Sequence, residues 1–215
     1  MALYKRITVN ADTQIFIWKL EESIAELSAD LQLSTTCKKR ISLLKSEIHR
    51  KQFLGIRHLL KEAGIDNSDL YYDKQGKPHL NGNQYISLSH SYDFAGIIIS
   101  SKPVGIDIEK QRDKILRIAN KFTPLKEYRT LANDEAIIRK LTIVWGAKES
   151  VYKAMNHSKI SFLKHIYVED FDFEDKKTIS QVNFENKIST FETNFFEFEG
   201  FTCVYALYSG SNYLQ

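Results

Sequence analysis

Between Ser34 and Ala63 apolar residues recur at helical spacing: Ile41, Leu44 and Ile48, then Phe53, Ile56 and Leu60. The spacing predicts a helical stretch capped by Ser34, Thr35 or Thr36 and closed at Gly64. The turn-rich "DKQGKPHLNGN" from Asp73 to Asn83 then gives way to a period of two. In "QYISLSHS", Ile86, Leu88 and His90 alternate with Tyr85, Ser87 and Ser89. "IIIS" and "PVGIDIEK" follow after short turns, and three strands so joined predict an antiparallel meander. "RDKILRIANKF" returns to helical spacing with Ile115, Ile118 and Phe122 turned inward, and Thr123 with Pro124 reads as the start of another helix. Asn133 or Asp134 caps a long helix, "DEAIIRKLTIVWGAKESVYKAM", whose core positions are Ile137, Leu141, Val144, Val151 and Met155. Beyond Ser161, "HIYVEDFDF", "TISQVNF" and "NFFEFEGFTCVYALY" predict a further sheet with no evident chemistry.

These elements predict an α+β chain with antiparallel sheets packed against helices. A boundary near Pro103 divides it into 1–103 and 104–215, each half holding helices and strands. The 215 residues are 43% hydrophobic, enough for a packed core. No segment reaches the roughly 18 apolar residues of a membrane span, and the start lacks an apolar run of signal-peptide length. Cys37 and Cys203 have no metal-ligand spacing, which fits a reducing cytoplasm. A formal charge of +3 permits an acidic partner without demanding one.

The candidate chemistry begins in "GIDIE". Residues i and i+2 of a strand point the same way, about 6.5–7 Å apart. Asp107 and Glu109 therefore reach toward one point, either from a wet edge strand or around a hard cation such as Mg²⁺. Glu149 and Lys153 share a face of the long helix with Gly146, between Trp145 and Tyr152. A surface pair of that spacing contributes about 0.3–0.5 kcal/mol. In a buried setting the pair needs a further carboxylate partner, and Gly146 leaves room for a phosphate. His90 ends an apolar strand face, as a core residue or as a donor to a phosphate oxygen. Arg50, Arg57 and Lys61 share one helix face, and Lys110, Lys114, Arg117 and Lys121 form a second basic stripe. Each stripe reads first as a solvated face.

Together, and in this order, "SLSHS", "GIDIE" and "WGAKESVYKA" resemble the 4′-phosphopantetheinyl transferases, in particular the long type that activates surfactin synthetase. "FLGIR" ending at Arg57 and "GKP" at Gly76 to Pro78 sit where that family has related elements. The resemblance spans Arg50 to Ala154. It implies transfer of the phosphopantetheine arm of coenzyme A onto a serine of an apo acyl or peptidyl carrier protein, releasing 3′,5′-ADP. It also implies a cytoplasmic monomer of two similar α/β lobes related by a pseudo-twofold axis. The first lobe would bind coenzyme A, and the second would carry the metal ligands and dock the carrier.

Carried over by position, Asp107, Glu109 and Glu149 would hold Mg²⁺, with Glu149 also the general base. Lys153 and His90 would neutralise phosphate charge. Arg57, Lys77, Pro78 and Ser89, with Lys38 or Lys39, would contact the coenzyme. The second basic stripe would meet an acidic carrier, and neither nucleic acid nor membrane would be a partner. Two positions depart from the pattern: Gly146 stands where Ser or Thr is usual, and "YISL" where Phe-Asn is common before "SHS". The alternatives are a metal-dependent nuclease, in which acids on a strand work with a lysine, and a basic module that binds nucleic acid.

Overall fold

The computed structural model describes residues 3–124, 133–155 and 157–210. Its backbone falls into two compact units that meet at residues 101 and 102.

In the first unit, strands β1 (Leu3–Asn10), β2 (Thr13–Lys19), β5 (Tyr85–Ser91) and β6 (Phe94–Ser100) form an antiparallel sheet in the order β1-β2-β6-β5. Helix α1 (Ile24–Ala29) opens with a reciprocal capping box between Ser23 and Glu26. The stretch from Ser34 to Ala63 is two helices rather than one: α2 (Thr35–Leu43) and α3 (Glu47–Glu62). Ser34 caps α2 by accepting from the Cys37 N–H at 3.2 Å. Leu44 leaves the helix in extended backbone, and the chain re-enters at Ser46. At the far end Gly64, with φ of +72°, closes α3: its N–H reaches Lys61 O and that of Ile65 reaches Leu60 O.

Leu54, Ile56, Leu59 and Leu60 of α3 bury against Phe16 and Trp18 of β2 and Ile97 of β6. His58, stacked on Trp18, hydrogen-bonds Leu27 O at 2.8 Å and so ties α1 to α3. A short hairpin, β3 (Leu70–Tyr72) and β4 (Pro78–Leu80), completes this unit.

In the second unit the order is β7-β11-β10-β9-β8, again antiparallel, with β7 at Val104–Lys110 and β8 at Ile166–Val168. Strands β9 (Lys177–Phe184), β10 (Lys187–Phe198) and β11 (Phe201–Gly210) supply the rest. Helix α5 (Asp134–Met155) lies along β7 and β11. Asn133 caps it, its Oδ1 accepting from the Ala136 N–H at 2.9 Å. Helix α4 (Lys114–Ile118), the 3₁₀ turn 119–121 and α6 (Phe162–His165) pack beside α5, with Phe122 fully buried. The helix expected after Thr123 and Pro124 lies outside the described residues.

Mixed α/β architecture with antiparallel sheets against helices is therefore as expected. The three-strand meander is not. β5 and β6 form its first hairpin, but β7 leaves for the second sheet and pairs with β11. The reason is that the other edge of β6 is taken by β2, from Thr13↔Ser100 to Lys19↔Phe94.

Candidate active site

Of the two readings of "GIDIE", the wet edge strand does not hold: β7 is buried from Val104 to Ile108. The Gly105 and Asp107 face is covered by α5. A Cβ at Gly105 would stand 1.8 Å from Ser150 O, so only glycine lets the strand and the helix backbones approach this closely. Gly146 plays the same part from the helix side, where a Cβ would meet Val204 Cγ2 at 2.6 Å and Asp107 Oδ2 at 3.7 Å. This corrects the expected phosphate space at Gly146: Val204 fills it, and the residue serves close packing. The sheet beyond Ser161 thereby acquires a purpose, because Val204 of β11 is the register partner of Asp107.

Asp107 is 5% exposed. Its Oδ1 accepts from Lys153 Nζ at 2.7 Å, and the same ammonium donates to Ile106 O at 2.9 Å. Lys153 spans from helix to strand and fixes their offset. Glu109, two residues on, is only partly buried, and its pKa is raised to about 7. Burial is the main cause, and the Asp107 charge adds to it; the hydrogen bond donated by Trp145 and the charge of Lys153 oppose it. Glu149, one helical turn from Lys153, is also pushed up, by burial and then by Asp107, against the pull of Lys153. Asp107 thus raises the pKa of both other acids, and Lys153 lowers both, so the four charges form one electrostatic group.

Three carboxylates share one ammonium here. If all were ionised, the group would carry an excess of negative charge in a half-dry setting, which costs free energy. Oxygen-only donors with a charge deficit suit a hard divalent ion such as Mg²⁺. Among the described residues, however, no three acidic, imidazole or thiolate groups already stand together as a finished cage. The chemistry of the acids fits such an ion, with water and substrate oxygens left to complete its shell.

Ser89 and His90 sit near the end of β5, paired with Gly96 and Ala95. Ser89 is buried and His90 exposed, so His90 is not a core residue. Lys77 ends the β3–β4 turn, where Gly76 has φ of +86°, and Pro78 opens β4 opposite Tyr72. Asp73 organises this turn: its Oδ1 accepts from the N–H of Gln75 and of Lys77, and its Oδ2 meets His79 Nε2 at 3.1 Å. Burial lowers the Lys77 pKa to about 8, against the pull of Asp73. Lys38 and Lys39 are exposed on α2.

Arg57 overturns the expected solvated stripe. It is 3% exposed, under Phe53 at 4.4 Å, and it donates to the Cys37 thiol. Its Nε and Nη1 meet no hydrogen-bond acceptor among the described residues. Arg50 turns back to Leu44 O, and Lys61 reaches Asp30 O. The second stripe behaves as expected, with Lys110, Lys114, Arg117 and Lys121 all exposed.

Two residues escaped the sequence reading. Trp145 was seen as a neighbour of the charged pair but not as a donor to Glu109. Lys148 was passed over, although it fills the gap in the core spacing Leu141, Val144, Val151, Met155. A charge on the core stripe was the available signal.

Comparison with known proteins bears on the same residues. Residues 103–206 match the model of the 4′-phosphopantetheinyl transferase superfamily. The chain is 27% identical over 154 residues to the 4′-phosphopantetheinyl transferase gsp of Aneurinibacillus migulanus, covering 68% of this chain and 62% of that protein. It is 30% identical over 99 residues to a 4′-phosphopantetheinyl transferase of Bacillus subtilis, covering 43% of this chain and 44% of the relative. The chain thus spans less than two thirds of the length of either relative. Asp107, Glu109, Glu149 and Lys153 all lie within the segment that matches the 4′-phosphopantetheinyl transferase superfamily model.

Proposed function

We propose that this chain moves the 4′-phosphopantetheine arm of coenzyme A onto a serine hydroxyl of an apo carrier protein, releasing 3′,5′-ADP. The observation that supports it best is the group of three carboxylates and one ammonium built between β7 and α5, inside the segment that matches the transferase family. Asp107, Glu109 and Glu149 are the residues that would hold Mg²⁺. The ion would supply positive charge against the coenzyme's pyrophosphate.

Glu149 suits the general base, because its raised pKa makes it a better proton acceptor than an ordinary carboxylate. It takes the proton from the serine Oγ, directly or through a water. The Oγ bonds to the phosphorus bearing the pantetheine arm. The pyrophosphate P–O bond breaks, and 3′,5′-ADP leaves with the electron pair. Lys153 uses two of its three N–H donors on Asp107 and Ile106, which holds the ammonium in place to offset developing charge. His90 is assigned the same task, and Arg57, Lys77, Pro78 and Ser89 are assigned to the coenzyme. The exposed Lys110, Lys114, Arg117 and Lys121 would guide an acidic carrier.

We read the enzyme as a cytoplasmic monomer; the buried Cys37 and Cys203 form no disulfide, which supports a reducing compartment. No described helix is long and apolar enough to cross a membrane. Intact-protein mass spectrometry of an apo acyl carrier protein with coenzyme A and Mg²⁺ tests the activity. The expected result is a gain of one phosphopantetheine mass that EDTA abolishes. No gain with fatty-acid, polyketide or peptide carriers would overturn it.

A further inference from the structure

Lys148 lies among the most buried side chains of α5, at 3% exposed. Its Nζ donates to Phe122 O at 2.6 Å, Ile166 O at 2.7 Å and Phe162 O at 2.9 Å. The three carbonyls come from two stretches of chain: the end of the 3₁₀ turn, and the continuous run from α6 into the start of β8. An ammonium has three donors and no acceptor, so this arrangement matches its whole capacity. One side chain thus draws together pieces of chain that share no backbone ladder with α5.

Both stretches also provide the aromatic walls of Trp145. The Trp145 ring meets Phe122 edge-on at 5.1 Å and Phe162 at 5.4 Å. Its indole N–H is the donor to the Glu109 carboxylate. The links are continuous: Lys148 holds the Phe122 and Phe162 backbones, their rings seat Trp145, and Trp145 orients Glu109.

We infer that Lys148 is a positioning residue for the carboxylate group, acting through Trp145 on Glu109. It touches neither substrate nor ion. This inference rests on the proposed metal-assisted transfer and adds a residue that fixes where one of the acids points.

The test uses the full chain carrying Trp18→Phe, which leaves Trp145 as the sole tryptophan. Lys148→Met and Trp145→Phe are compared singly and together, at a temperature where each is folded. Binding of Mg²⁺ alone is read by calorimetry, and Trp145 emission by fluorescence where the residue remains. Lys148→Met is expected to shift Trp145 emission toward the solvent-exposed form. It should weaken Mg²⁺ binding about tenfold, the lower end for a group that orients a metal ligand. Trp145→Phe should weaken it similarly, and the pair should lose no more than either alone.

Unchanged emission and Mg²⁺ binding in Lys148→Met, or an equal further loss on the Trp145→Phe background, would overturn the inference. A merely structural lysine lowers the melting point without altering affinity in the folded state. If Lys148→Met does not fold, Phe162→Leu loosens the same seat without stranding the carbonyls. Its emission and Mg²⁺ binding then decide the matter on the same terms. Should wild-type chain bind Mg²⁺ yet modify no carrier, the transferase reading falls and the Lys148 result still stands or fails alone.

Discussion

Arg57 and Lys148 are buried cations, one on the long helix of each unit, and their surroundings differ. Each occupies a core-facing position, at 3% exposed. Lys148 has its charge spread over three carbonyls at 2.6–2.9 Å. Arg57 has a ring face and a thiol, while two of its guanidinium nitrogens meet no acceptor among the described residues. An answered charge stiffens the structure around it; an unanswered one carries a cost that an arriving anion would remove. The first arrangement suits a framework and the second suits the proposed contact with the coenzyme, and sequence position alone cannot separate them.

The largest effects should come from the carboxylate group of the second unit. Glu149→Gln keeps the shape and removes the base, and carrier modification should slow about a thousandfold. Asp107→Ala should abolish transfer with the fold retained by circular dichroism, and full activity in either variant would refute the site. A sharper probe gives the two buried cations the same substitution. Lys148→Met strands three carbonyls and should cost about 1–3 kcal/mol in denaturant unfolding. Arg57→Met should be neutral or stabilising by about 1 kcal/mol without ligand, because it deletes an unsatisfied charge. The same variant should raise KM for coenzyme A. Equal destabilisation of the two variants would erase the contrast.

Glu109 predicts a pH effect. Its pKa rises from 4.5 unfolded to about 7 folded, so the folded state binds more protons across that window. Stability should therefore fall as pH rises from about 5 to 7 and level off above, by about 1–2 kcal/mol after allowing for its partial exposure. Millimolar Mg²⁺ should flatten the slope. A rising slope in thermal melts over that range would contradict it. The smallest change should follow Lys114→Glu with Arg117→Glu. Both positions are exposed, so stability should stay within about 0.5 kcal/mol. Carrier modification should slow about threefold at low salt and converge with wild type at high salt.

Helix α5 was legible nearly to the residue, because its spacing is long and Asn133 supplies a real cap. Asp107, Glu109, Glu149 and Lys153 were legible for a related reason: residues two apart on a strand and four apart on a helix share a face. The break at Leu44 was hidden because the apolar spacing runs on across it. The partner of β7 was hidden because the ladder joins residues 104–110 to 201–207, which no local pattern encodes. Arg57 and Gly146 were misread for one reason. The neighbours that decide them, Cys37 for the first and Val204 for the second, exist only after helices and strands have packed.

The β7–β11 ladder also sets a timetable for synthesis. Asp107 leaves the ribosome well before its register partner Val204 has been made. At ordinary elongation rates the interval is on the order of ten seconds. Throughout it the acidic strand lacks its ladder partner, so the second unit must close from its two ends late, while the first unit has every strand it needs. Codon-level slowing or a chaperone acting after Phe201 should affect the yield of active protein more than the same intervention near Ser100.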